Sequence, residues 1–176
     1  LKKKRIYKID MVFITHYDYD HYGALEELQK TCKINQVYDY TSTFPVKMGG
    51  ITFNNYNYYG AGRSEENDKS LVLGFNFLNK DFLVMGDAPT FVERQIIKNE
   101  NYVPCDILRV GHHGSNTSTC EEWIKFVTPE EAVISVGKGN KFGHPNKEVI
   151  AVLNKYKIKI RRTDIEGTIK YKSIFV

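Results

Sequence analysis

Cysteine is scarce in this chain. Its three cysteines, Cys32, Cys105 and Cys120, are odd in number and widely spaced, which argues against a disulfide framework and against a cysteine-rich zinc site. Long apolar runs are also missing, so no segment reads as a membrane-spanning helix, which needs roughly 18 apolar residues or more. The basic start, Lys2-Lys3-Lys4-Arg5, is not followed by the apolar stretch of a signal peptide. Nor does either charge dominate. The 25 Lys and Arg against 21 Asp and Glu leave +4, too mild for a nucleic-acid-binding signature by itself. Basic residues crowd at Lys155, Lys157, Lys159, Arg161 and Arg162, as solvated faces commonly do. There is no repeat, low-complexity tract or linker. The 176 residues are enough for a sizeable core and read as a single soluble domain over 1–176. A first residue of Leu rather than Met leads us to expect a piece of something longer.

What the chain does have is a concentration of ligand chemistry. His16-Tyr17-Asp18-Tyr19-Asp20-His21 packs two imidazoles and two carboxylates into six positions, between the apolar run Met11 to Ile14 and a helical pattern from Tyr22 to Leu28. If the segment is extended, His16, Asp18 and Asp20 share a face, and the turn at His21 brings the fourth group round. Converging carboxylates repel unless a proton or cation neutralises them, and a divalent ion accepts both ionised carboxylate and neutral imidazole. The pattern points to a metal site rather than an acidic surface loop.

The coarse pattern alternates strands and helices. A strand over Arg5 to Thr15, a helix over Gly23 to Thr31 and a strand at Gln36 to Tyr40 make a β-α-β opening. Strands at Ser70 to Phe77 and Asp81 to Met85 join through a turn at Leu78-Asn79-Lys80. Pro89 opens a helix to about Lys98. A strand at Ile107 to Val110 leads to Gly111-His112-His113-Gly114-Ser115. Ser118 with Glu121, or Thr119 with Glu122, fits a capping box for a helix over Glu121 to Val127 whose Trp123 and Phe126 face the core. A buried strand at Ala132 to Val136, a helix from Pro145 to about Tyr156, and a hairpin of Ile158 to Thr163 with Thr168 to Phe175 complete the chain. The polar clusters fall at C-terminal strand ends, where α/β proteins place ligands. All five histidines lie in those loops, together with Asp87.

The loop Thr15 to Gly23 resembles the signature of the metallo-β-lactamase superfamily, with Asp18 where histidine is usual. Gly86-Asp87, Val110 to Ser115, Thr117-Ser118-Thr119, Ala132 to Gly137, Gly143-His144-Pro145, Arg162-Thr163-Asp164 and Gly167-Thr168-Ile169 are similar to the C-terminal extracytoplasmic domain of the ComEC family of competence proteins. This resemblance implies an α/β fold of the αββα metallo-β-lactamase-like sandwich type, lacking here the first strands of the N-terminal sheet. It implies a metal-dependent hydrolase, a nuclease or phosphodiesterase acting on single-stranded or double-stranded DNA, at the extracytoplasmic face of the cell membrane if part of a membrane-embedded parent and otherwise soluble and cytoplasmic. The alternatives are a small-molecule phosphodiesterase or ester hydrolase, and a catalytically impaired DNA-binding module.

The resemblance also implies two divalent metal ions. His16 and Asp18 hold one, Asp20 and His21 the other, Asp87 bridges them, and His112 or His113 completes the second site. Because adjacent residues leaving a strand point to opposite sides, only one of the tandem histidines can face Asp20, and His112 is preferred. No histidine lies between His21 and His112, so the first site is a ligand short and rich in oxygen, which favours manganese over zinc. Asp20 and His144 are the candidate catalytic residues. Ser115, Asn116 and Ser118, beside a helix N-terminus, and Lys138 and Lys141 are the candidate substrate-binding residues.

Overall fold

The computed structural model describes residues 5–172. The opening folds as expected: β1 (Lys8–Phe13) and β2 (Lys33–Tyr38) pair in parallel, joined by α1 (Tyr19–Tyr22) and α2 (Leu25–Thr31). A second sheet of seven strands follows, in the order β3 (Val46–Met48), β4 (Ile51–Asn55), β5 (Leu73–Phe77), β6 (Lys80–Val84), β7 (Ile107–Arg109), β8 (Glu131–Ile134), β9 (Lys159–Arg162). β3 to β6 are antiparallel hairpins, and β6 to β9 are parallel, each crossover carrying one of the helices α3 (Thr90–Asn99), α4 (Glu121–Val127) and α5 (Lys147–Lys155). The β5–β6 turn is Leu78-Asn79, both at positive φ (55° and 57°), which matches the twist of a tight hairpin.

Two faces of this sheet pack differently because side chains alternate along each strand. Leu83, Leu108, Ala132 and Ile160 lie in register on one face. Against that row pack Val92 and Ile96 of α3, Trp123, Ile124 and Val127 of α4, and Val149 and Leu153 of α5, all buried. The i, i+4 spacing of Val92 with Ile96 and of Val149 with Leu153 is what gives those helices an apolar stripe. The other face is aromatic. Phe53, Phe75 and Phe82 stand side by side, with centroids 5.2 and 5.3 Å apart, and Phe13 of β1 meets Phe53 at 4.9 Å. The two sheets are thus layered with helices outside the larger one, a mixed α/β metallo-β-lactamase-like sandwich.

Three local expectations are corrected. The chain is extended only to Asp18, because Tyr19 already starts α1, so Asp20 leaves the shared face and turns with His21. The capping box at Ser118 and Thr119 does not form. No side chain caps α4 locally; instead Glu93 of α3 accepts the backbone N–H groups of Thr119 (2.5 Å) and Cys120 (2.9 Å). The last hairpin is absent over the described residues: β9 runs directly into α6 (Thr163–Glu166), and no strand forms between Thr168 and Lys172. Thr163 Oγ1 fastens that turn to the β8 loop by accepting Val136 N–H and donating to Val136 O, each at 2.8 Å. The remainder of the expected strand, 173–176, lies outside the described residues.

Candidate metal centre

Four strand ends build the centre. After β1, Thr15 and His16 pass between the sheets, and the Asp18 carbonyl accepts the N–H of His21 (2.8 Å) as α1 begins. After β6, Gly86 takes a φ of +56°, where a Cβ would come within 3.0 Å of both Thr15 and Ser70; glycine is required for Asp87 to enter the centre. After β7, the His112 N–H donates to Gly86 O (3.1 Å), tying the histidine loop to the aspartate turn. After β8, a loop carries His144 alongside, its ring 5.9 Å from that of His112.

The side chains converge. His21 Nε2 lies 3.2 Å from Asp87 Oδ1, His113 Nε2 3.3 Å from Asp20 Oδ2, and His16 Nε2 3.6 Å from Asp18 Oδ2. Two groups of donors have geometry fit for an ion, His16 with His21 and Asp87, and Asp20 with His21 and His113. His21 therefore stands in both groups, where the expected assignment gave it to one, and makes up part of the deficit at the first site. Asp18 is at the rim, with its side chain 48% exposed. His112 also approaches Asp87, at 3.8 Å, but it is His113 that faces Asp20. Strand alternation fails here because both histidines adopt left-handed backbone (φ 47° and 54°) in a short turn. His113→Ala should therefore weaken metal binding by about tenfold or more, and His112→Ala by less. Metal titration of the two variants checks this, and a larger loss at His112 would reverse the assignment.

The donors are prepared for a cation. His16 Nε2, His21 Nε2, His113 Nε2 and Asp87 Oδ1 are buried without a well-aligned hydrogen bond, and the close approach of His21 to Asp87 and of His113 to Asp20 is ionic in character, a state that a bound ion relieves. Their opposite nitrogens are held: Thr15 Oγ1 lies 3.1 Å from the Nδ1 atoms of both His16 and His21, and His113 Nδ1 is 2.6 Å from the carbonyl of Ser135, to which it donates. Such outer contacts fix ring orientation and leave Nε2 free to ligate. Burial, with His21 adding, pushes the His16 pKa down and favours the neutral ring a metal needs. Burial alone would raise Asp87, but His21, His113 and Arg109 outweigh it and hold this carboxyl well below the usual range. Arg109 is a participant that the sequence reading missed. Its Nη1 donates to Gly86 O (2.5 Å) and sits 3.7 Å from Asp87 Oδ1. The available signal was a charge ending an otherwise apolar strand.

The remaining candidates divide. Asn116, Lys138 and Lys141 are exposed, Lys138 in a cleft it shares with Thr163 and Asp164. Ser115 and Ser118 are buried, and the Ser118 hydroxyl donates to Gly111 O (2.8 Å), which commits it to shaping the loop. The helix N-terminus expected to attract phosphate is already occupied by the Glu93 carboxylate.

The chain has relatives among known proteins. Residues 1–56 match the family model of the Metallo-beta-lactamase superfamily. The chain is 29% identical to ComE operon protein 3 of Bacillus subtilis (strain 168), over 98% of the chain and 26% of that protein. It is 28% identical to Competence protein ComA of Neisseria gonorrhoeae, over 93% of the chain and 25% of that protein. Recombination protein 2 of Haemophilus influenzae is 32% identical over 60% of the chain and 13% of its own length. The chain thus spans about a quarter of the length of the first two relatives. With its layered sheets and its cluster of histidines and aspartates, it is a metallo-beta-lactamase-like α/β domain, similar over nearly its whole length to these competence proteins.

Proposed function

We propose that residues 1–176 form one metal-dependent hydrolase domain that cuts phosphodiester bonds of DNA during competence-type uptake, as part of a membrane-embedded parent and on its extracytoplasmic side. The observation that carries this reading is the convergence of buried imidazole nitrogens of His16, His21 and His113 with Asp87, His21 and His113 also lying within 3.7 Å of the Asp20 carboxylate. Bound divalent ions supply Lewis-acid chemistry there, charge stabilisation and a more acidic water. His16, His21 and Asp87 would hold one ion and Asp20, His21 and His113 the other, with Asp18 at the rim of the first site.

The chain's own groups do the rest. Asp20 Oδ2, open to solvent beside His113, accepts the proton of the attacking water as its oxygen bonds to phosphorus and the ester P–O bond breaks. His144, next to His112, returns a proton to the leaving oxygen. Lys138 and Lys141 offer cations to the neighbouring phosphates. Manganese is our choice over zinc because Asp18 puts a hard carboxylate at the rim of the first site, where the family it resembles has an imidazole.

The test is metal analysis of the purified protein combined with cleavage assays on DNA in manganese, magnesium and zinc. Cleavage supported best by manganese, with DNA binding that weakens steeply as salt rises, is the expected result. Metal-dependent ester hydrolysis without salt-sensitive DNA binding would instead favour a small-molecule ester as substrate. Metal-free protein that holds DNA without cutting it would mark an impaired module.

A further inference from the structure

The loop between β8 and α5 keeps an aromatic side chain in water, and keeps it still. Asn140 fastens the loop to itself: Nδ2 donates to the carbonyls of Gly137 (3.2 Å) and His144 (2.7 Å), while Oδ1 accepts the N–H groups of Phe142 (3.2 Å) and His144 (3.0 Å). Phe142 stands on this frame at 68% exposure. Its ring stacks on His144, with centroids 5.8 Å apart and planes 18° from parallel. His144 in turn meets His112, whose Nε2 is 3.8 Å from Asp87. A row of rings therefore leads from the surface to the metal centre.

Charge gives the row a direction. On one side of His112 a cleft is lined by Asp18, Glu65, Glu66 and Asp68; Glu66 is paired with Lys69, and Glu65 and Asp68 keep the cleft acidic, which repels phosphates. On the Phe142 side stands Lys141, whose ammonium lies 5.1 Å from the Phe142 ring centroid. A nucleic-acid strand whose phosphate sits at the centre is turned away from the acidic cleft and leaves over Phe142.

We infer that Phe142 is a stacking platform for a base of an unpaired DNA strand, placed on the side of the metal centre away from the acidic cleft. The inference rests on the phosphodiesterase reading above and adds strand preference to it. In a duplex both faces of a base are covered by its neighbours, so only a single strand offers a face to the ring. The Lys141 side chain is flexible, and it exchanges its place over the ring for the adjacent phosphate. Every base has a π face, so this contact tolerates any sequence.

The experiment measures binding by fluorescence anisotropy in manganese, with labelled oligothymidylate and an abasic oligonucleotide of equal length, both as phosphorothioates that resist cleavage, the unmodified strands being kept for the cleavage assay. Phe142→Ala should weaken oligothymidylate binding about tenfold and leave abasic binding unchanged. Phe142→Trp should restore the affinity, and its fluorescence should be quenched by oligothymidylate but not by the abasic strand. Equal weakening of both ligands would mean that Phe142 only supports the loop, and no weakening would mean that it makes no contact; either overturns the inference. Cleavage of both strands by the wild-type protein, assayed separately with manganese, keeps the phosphodiesterase reading standing in those cases. A wild type that cuts neither strand sinks that reading instead.

Discussion

Asp87→Asn should strip most of the metal from the protein and lower phosphodiester hydrolysis on the order of 10³-fold, the scale of losing a group aimed at the reacting charge. The carboxylate is buried, and its two oxygens face different partners: Oδ1 is 3.2 Å from His21 Nε2, and Oδ2 is 3.7 Å from His113 Nε2. One negative charge thus lies within reach of histidines from both donor groups. Amide in its place keeps the shape, removes the charge, and presents an N–H₂ donor where a cation belongs. The check is metal stoichiometry by mass spectrometry alongside turnover. A variant that keeps its full metal content and rate would mean that Asp87 does not ligate.

The second large effect is on stability. Glu93→Ala should destabilise the metal-free protein by about 2–4 kcal/mol at pH 5, because two buried N–H groups lose their acceptors and a cavity opens. For a chain of this size that lowers Tm by roughly 5–15 °C. Burial pushes the Glu93 carboxyl up to about 7, against the N–H groups of Cys120 and Thr119 that favour its ionised form. The folded pKa is raised, so the contribution is complete below the ordinary carboxyl value and is lost as pH rises through about 7. The gap in Tm between wild type and variant should therefore narrow from pH 5 to pH 8. A gap that widens would show that the ionised cap outweighs the cost of burial.

Glu93 also marks where the sequence stopped being legible. Ser118 and Thr119 have the local spacing of a capping box, and local spacing is all that a helix start displays in sequence. The cap came from α3, 26 residues earlier, by a contact only the packed α3–α4 pair creates. The same limit explains Arg109, whose partners Gly86 and Asp87 belong to the neighbouring strand's exit. It also explains His113, where the reading assumed strand geometry and the backbone turned left-handed. By contrast, the gathering of His16, His21, Asp87 and the tandem histidines was readable, because each follows an apolar run whose C-terminal end is set by simple alternation. Parallel β6, β7 and β8 then bring those ends to one edge without further information.

Arg109 bears on the order of events in the life of the protein. Structural zinc modules need the ion to fold, since their ligands have nothing else to neutralise them. Here the buried carboxylate of Asp87 has a permanent counter-ion in Arg109, 3.7 Å away, while Asp18 and Asp20 remain in reach of water. The fold therefore does not need an ion to neutralise Asp87, and circular dichroism in chelator should show the metal-free protein still folded.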